Sequence, residues 1–205
     1  MKLYYLPASC SLATHIVLRE VGATFDLERY DPAKGVTDSG QAYARINPKA
    51  RVPALELDNN ELLTEGSSLV QYIVSQHPTS DLALPEDALA RARVQEGLSF
   101  VASEFHKSFS PFFSADTDEA AKTRARALVT KHLDYLESLF ADGRDYFVDN
   151  KLSVADIYLF VVLRWVDSTG LDIGKWRSVK AFRSRMNDRP SSQAALKAEG
   201  LLEAA

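Results

Sequence analysis

The sequence predicts an α/β domain followed by an all-helical one, on three observations. Before residue 78 the chain runs strand, helix, strand, short helix, two strands, helix. Beyond His77-Pro78-Thr79-Ser80-Asp81, a linker by composition, every long segment repeats its apolar residues every three or four positions. A length of 205 residues, 46% of them hydrophobic and 25% charged, is enough to bury one large core or two small ones. The implied boundaries are 1–77 for the first domain, 78–85 for the linker and 86–205 for the second.

Lys2-Leu3-Tyr4-Tyr5-Leu6 reads as a buried strand and Pro7-Ala8-Ser9-Cys10-Ser11 as a loop. A helix follows with Ala13, Ile16, Val17, Leu18 and Val21 on its apolar positions, and Gly22 ends it. Thr24 to Tyr30 alternates like a second strand, so the first two strands should lie parallel across a right-handed crossover. Residues 31–46 are polar and fit a loop with a short helix.

Asn47-Pro48-Lys49-Ala50-Arg51-Val52-Pro53-Ala54-Leu55 is the stretch around which the first domain is organised. Pro53 lacks an amide hydrogen and suits the first residue of a strand. The Val52–Pro53 bond is also a cheap place for a cis peptide, at roughly 0.5–1 kcal/mol. A cis turn would point the backbone of Val52 outward, able to pair with another extended peptide. Asp58-Asn59-Asn60 turns the chain into a second strand, and Glu65-Gly66-Ser67-Ser68 opens a helix. The first amides of that helix suit a carboxylate, and Glu65 beside them suits an ammonium. One reading is a clamp for a small peptide's backbone and zwitterionic end; the other is a hairpin followed by a capped helix.

In the second domain Val94, Leu98, Val101, Phe105, Phe109 and Phe112 form one stripe on a long helix. Residues 154–166 are apolar nearly all round, the expected buried centre. Ser153 and Asp156 make a capping box there, with Leu152 and Ile157 placed as a hydrophobic staple. Asp156 is therefore read as a cap and not as a catalytic acid. Two more helices fit residues 175–188 and 191–200.

Cys10 stands just before a helix N-terminus, where the local field lowers a thiol's pKa from about 8.5. A lone cysteine is often an inert core residue, but Ser9-Cys10-Ser11 is polar. His106 shares a helix face with Glu96, Ser99 and Ser103 at α-helical offsets. That face is either solvated or the wall of a cleft, where His106 could hydrogen-bond a sulfur anion or move a proton. Gly97, costing roughly 1 kcal/mol in mid-helix against Ala, makes room either for a ligand or for close packing. His15, His77 and His132 have no ligand-like spacing, so no metal is expected. A net charge of −4 without basic, aromatic-interleaved patches argues against nucleic acid. The longest apolar run, residues 157–163, is far short of a membrane span. The single cysteine favours a reducing compartment, and the cytoplasm is the expected setting.

The chain resembles the glutathione transferases, specifically their bacterial beta class. The resemblance rests on Met1-Lys2-Leu3-Tyr4-Tyr5, Ser9-Cys10-Ser11-Leu12, Ile46-Asn47-Pro48-Lys49, Val52-Pro53-Ala54-Leu55 and Leu63-Thr64-Glu65-Gly66. It continues through Ala102-Ser103-Glu104, His106-Lys107, the Ser153–Asp156 box and Glu199-Gly200-Leu201. It implies a thioredoxin-like N-terminal domain, an all-helical C-terminal domain, a homodimer, and glutathione held between the domains as co-substrate, with no other cofactor. Val52 would pair with the cysteinyl backbone beside a cis Pro53, and Glu65 and Gly66 would hold the γ-glutamyl end. Ser99, Ser103, Glu104 and His106 would come from the second domain, and Cys10 would face the sulfur. Gly35 and Ser99 stand where the family pattern has lysine and asparagine; Lys34 is the nearest substitute cation.

The expected activity is conjugation of the glutathione thiolate to small hydrophobic electrophiles, with Cys10 and His106 as the catalytic pair. The electrophile's pocket would draw on Gly97, Phe109, Phe112 and Phe113. Two rivals stand beside it: a glutathione-dependent disulfide reductase working through Cys10, and a non-catalytic carrier of apolar ligands.

Overall fold

The computed structural model describes residues 1–149 and 151–202. Packing divides the chain into two compact units, residues 1–84 together with the segment from Arg189 onward, and Pro85–Asp188.

The first unit is built on a mixed five-stranded sheet in the order β3-β2-β1-β4-β5. Strands β1 (Lys2–Tyr5) and β2 (Asp26–Asp31) are parallel, as the strand–helix–strand order requires. Helix α1 (Ser11–Glu20) joins them and ends at Gly22, with φ +69°. There the amides of Gly22 and Ala23 donate to Arg19 and Leu18, a C-cap that needs the left-handed conformation. The two-residue β3 (Val36–Thr37), antiparallel to β2, is a strand the periodicity did not show. It is placed by a tight turn in which the Gly35 amide donates to the Asp31 carbonyl at 2.8 Å, with Gly35 at φ +72°. Helix α2 (Tyr43–Ile46) is the expected short helix. β4 (Ala54–Glu56) and β5 (Leu62–Thr64) form the expected hairpin, and α3 (Gly66–Ser75) follows.

Tyr4, Tyr30, Tyr43 and Ala54 make a buried cluster on this sheet. Tyr30 and Tyr43 stack with ring centres 4.1 Å apart. From inside the cluster the Tyr43 hydroxyl donates to the Arg51 carbonyl at 2.9 Å, and the buried Asn47 amide donates to the same oxygen at 2.7 Å. Burial pushes the Tyr43 phenol up to about 12, so it stays a donor at neutral pH. The loop carrying Val52 and Pro53 is thus pinned one residue upstream by two core side chains.

The second unit contains α4 (Ala88–Ser99), a π-helical segment (Phe100–Phe105), α5 (His106–Ser108), α6 (Glu119–Phe140), α7 (Val154–Arg164) and α8 (Arg177–Asn187). Every residue from Val154 to Leu163 is buried, as its all-round apolarity predicts. The capping box forms, and both Leu152 and Ile157 are buried.

The last helix, α9 (Pro190–Ala198), departs from the expected boundary at 86–205, because it packs on α1 of the first unit. Arg189 and Ser191 both hydrogen-bond the Glu20 carboxylate. Farther along, Glu199 accepts from His15 Nδ1 at 2.9 Å with both side chains fully buried. Arg19 Nε donates to the other ring nitrogen of His15 at 2.8 Å, so Nδ1 carries the proton. Unpaired, Glu199 would be an expensive buried charge, and this pairing explains why the segment belongs to α1.

Candidate functional site

Cys10 is the N-cap of α1, half-buried in the loop predicted to be polar. Its neighbours fix that loop. The Ser9 and Ser11 hydroxyls lie 2.8 Å apart, the Ser11 amide donates to Ser9 Oγ, and Ser11 Oγ donates to the Leu6 carbonyl while accepting from the Leu6 amide. The Cys10 thiol donates to the carbonyl of Val52 at 3.4 Å. Forty-two residues apart in sequence, the two groups expected to meet a ligand's sulfur and backbone are in contact. The Val52–Pro53 peptide is cis.

Glu65, the N-cap of α3, takes φ +70° and ψ 110°, a sparsely populated conformation for a non-glycine residue. Such positions cluster at ligand clamps, where the surroundings hold them. Its carbonyl accepts from the amides of Ser68 and Leu69. Its exposed carboxylate pairs with Lys49 Nζ at 2.7 Å, and the same ammonium reaches Thr64 Oγ1 at 2.9 Å. The Glu65 carboxylate therefore already binds an ammonium here. Ser67, at the second position of α3 after Gly66, has its hydroxyl shielded from solvent and without a partner among the described residues. It is absent from the sequence-based set; the only signal for it was a hydroxyl at a helix start. The exposed ammonium of Lys34 pairs with Asp31 at 3.3 Å.

In the second unit Ser99 ends α4 and its carbonyl accepts from Ser103 Oγ at 2.8 Å. Glu104 is exposed on the π-helical segment. That segment corrects the shared α-helical face, because hydrogen bonds there span five residues and shift the register between Ser99 and His106. Glu96 pairs with Arg93 at 2.7 Å. His106 Nδ1 lies 3.0 Å from the Tyr158 hydroxyl, and its ring meets Trp165 edge-on at 4.8 Å. Burial, with the nearby Lys107 charge, pulls the imidazole down to about 4, so it is neutral at physiological pH. Tyr158 and Trp165 are partners the sequence did not reveal, because the apolar periodicity of α7 and its continuation hid them.

Gly97 is resolved in favour of close packing. A Cβ there would lie 3.0–3.2 Å from Phe147, Val148 and Ala155, so the space belongs to neighbouring side chains and not to a ligand. Phe109 is fully buried, whereas Phe113 is 58% exposed with its ring 5.3 Å from that of Trp165. Among the described residues no cluster of His, Cys, Asp or Glu could hold a metal, and no helix is long and apolar enough to cross a membrane.

Residues 1–75 match the glutathione S-transferase N-terminal domain and residues 100–190 the C-terminal domain. Glutathione S-transferase GstA of Escherichia coli O157:H7 is 41% identical over 201 residues, 98% of this chain and 100% of that protein. The chain belongs to the glutathione S-transferase family. Glutathione S-transferase GST-4.5 of Xanthomonas campestris is 35% identical, covering 98% of this chain and 100% of its own. Among solved structures, a sphingomonad glutathione S-transferase complexed with glutathione superposes with a TM-score of 0.94 at 44% identity, over 98% of this chain and 100% of that one. A bacterial beta-class glutathione S-transferase from Sphingomonas chungbukensis gives 0.95 at 42% identity over the same shares. By this likeness the chain is a thioredoxin-like, beta-class member of the family, with an N-terminal mixed sheet and a helical C-terminal domain.

Proposed function

We propose that this glutathione S-transferase family member binds glutathione and conjugates its thiolate to small apolar electrophiles. The contact of Cys10 Sγ with the Val52 carbonyl carries the reading. A peptide backbone laid along Val52 brings its cysteinyl sulfur to the α1 N-terminus, where fixed donors favour the thiolate. Glu65 takes the ligand's ammonium in place of Lys49, while the amides at Gly66 and the Ser67 hydroxyl take its carboxylate. Ser103, Glu104 and a neutral His106 complete the proposed set, with His106 as a hydrogen-bond donor to sulfur. In the reaction the thiol proton leaves to solvent, the sulfur lone pair forms a bond to carbon, and the electrophile's leaving group departs with its electron pair. The aromatic surface of Phe113 and Trp165 suits an apolar, ring-bearing electrophile. Glutathione is the co-substrate, with no resident cofactor. A homodimer working in the cytoplasm belongs to the same proposal.

The half-buried thiol of Cys10 supports a second reading, reduction of mixed disulfides. The Cys10 thiolate attacks the glutathione sulfur of a mixed disulfide, and the other thiol leaves as its thiolate. A second glutathione thiolate then displaces Cys10 to give oxidised glutathione. Assaying conjugation of a chlorinated nitrobenzene beside reduction of a glutathione mixed disulfide decides between them. Conjugation well above background sustains the transferase reading, and background conjugation with rapid reduction sinks it. Retention on immobilised glutathione without either turnover would leave the carrier.

A further inference from the structure

Helix α7 is buried on every side, yet it carries a phenol at Tyr158 whose oxygen lies 3.0 Å from His106 Nδ1. A tyrosine in such a helix exposes its hydroxyl to desolvation unless a partner meets it. Here one such partner is a ring 52 residues away in sequence. Trp165 closes on the same imidazole edge-on at 4.8 Å, which restricts rotation of the ring.

We propose that Tyr158 is the positioning residue for His106: its hydroxyl donates to Nδ1, leaving the proton on Nε2 and aiming that N–H outward as a donor. The direction follows from acid–base matching. A phenolic O–H is the stronger donor of the pair, and an imidazole nitrogen is a far better acceptor than a phenol oxygen. Burial and the nearby Lys107 charge keep the ring neutral, so one of its two nitrogens carries a proton and the other is able to accept. His106 in this arrangement is a fixed neutral donor, not a proton shuttle. The same second-sphere logic operates where a hydrogen bond to one ring nitrogen decides which task the other performs.

This inference rests on the proposed role of His106 toward sulfur, and the experiment separates the two. Ring-nitrogen shifts of His106 in the 15N-labelled protein should place the proton on Nε2, with Nδ1 shifted as a hydrogen-bonded acceptor. Tyr158→Phe should move the Nδ1 shift toward that of an unbonded acceptor. It should also cut kcat for conjugation about fivefold, the worth of one neutral hydrogen bond, with KM for glutathione little changed. In a His106→Ala background, the added Tyr158→Phe should cost nothing more. Unchanged His106 shifts, a proton found on Nδ1, or an undiminished fivefold loss in the His106→Ala background would each overturn the positioning role. Full conjugation by His106→Ala alone would overturn the sulfur role of His106, and this proposal with it.

Discussion

The thiol of Cys10 and the carbonyl of Val52 touch at 3.4 Å, one from the cap of α1 and the other from the loop entering β4. In the proposed site, backbone and clamp contacts would hold the ligand, while the thiol would only neighbour its sulfur. Cys10→Ala should therefore leave the glutathione Kd within about fivefold, the worth of one weak neutral hydrogen bond. Mass spectrometry after treatment with oxidised glutathione should find an adduct on the parent chain and none on the variant. A far larger loss of affinity would mean that Cys10 builds the site.

Glu65 and Lys49 set up a competition. Their exposed pair contributes little to stability, at about 0–1 kcal/mol. A ligand ammonium must displace Lys49, so Lys49→Ala should tighten glutathione binding by up to about threefold in calorimetry, within that same range. Glu65→Ala removes a charge-assisted partner worth about 1.5–3 kcal/mol and should weaken binding by roughly 10- to 100-fold. Equal weakening in both variants would show instead that Lys49 holds the ligand.

Asp156 is a stability residue with an unusual titration. Its buried carboxylate accepts from the Phe147 amide at 2.6 Å, the Ser153 amide at 2.8 Å and the Ser153 hydroxyl at 2.7 Å. Asp156→Ala strands those buried donors and should lower the urea unfolding free energy by about 3 kcal/mol or more. Asn should recover only part, since its NH2 group faces donors. Burial raises the carboxyl to about 6, against donors that pull the other way. The folded form thus keeps its proton where the unfolded form, with its ordinary value of 3.8, has lost it. The group favours folding most below pH 3.8, and that contribution, about 3 kcal/mol, disappears as pH rises to about 6. Its carboxyl carbon resonance should titrate near pH 6; a midpoint below 4.5 would reject this.

At Gly97 the helical preference for a side chain and the local packing conflict. A β-branched residue would press on Phe147, Val148 and the Ala155 Cβ of fully buried α7. Gly97→Val should destabilise by about 3 kcal/mol in thermal or urea unfolding, at the upper end of overpacking costs. A neutral result would show that α4 and α7 separate easily.

Much of this chain was readable because its signals are local. Gly22 marks a helix end because the left-handed cap favours glycine. Ser153 and Asp156 announce a helix start because a capping box spans only three residues. Asp58-Asn59-Asn60 encodes the hairpin, and the all-round apolarity of α7 encodes its burial. Cys10, Val52 and Glu65 could be singled out for the same reason, each standing at an element boundary whose backbone chemistry is fixed nearby.

Tertiary structure alone decided what depends on distant partners. Helix α8 has no side-chain cap of its own; Glu137 of α6 accepts from the amides of Ser178 and Val179, each at 3.0 Å. Burial raises that carboxyl, yet those amides and the Ser178 hydroxyl outweigh it and hold it below the usual carboxylate range. The short strand β3 exists only by pairing with β2, and α9 joins the first unit only through contacts such as Glu199 with His15. The register shift between Ser99 and His106, and the phenol at His106 Nδ1, are likewise invisible in a periodicity. A residue's own preferences and its near neighbours are encoded along the chain, but a hydrogen bond across 40 or 180 positions is specified only once the backbone is in place.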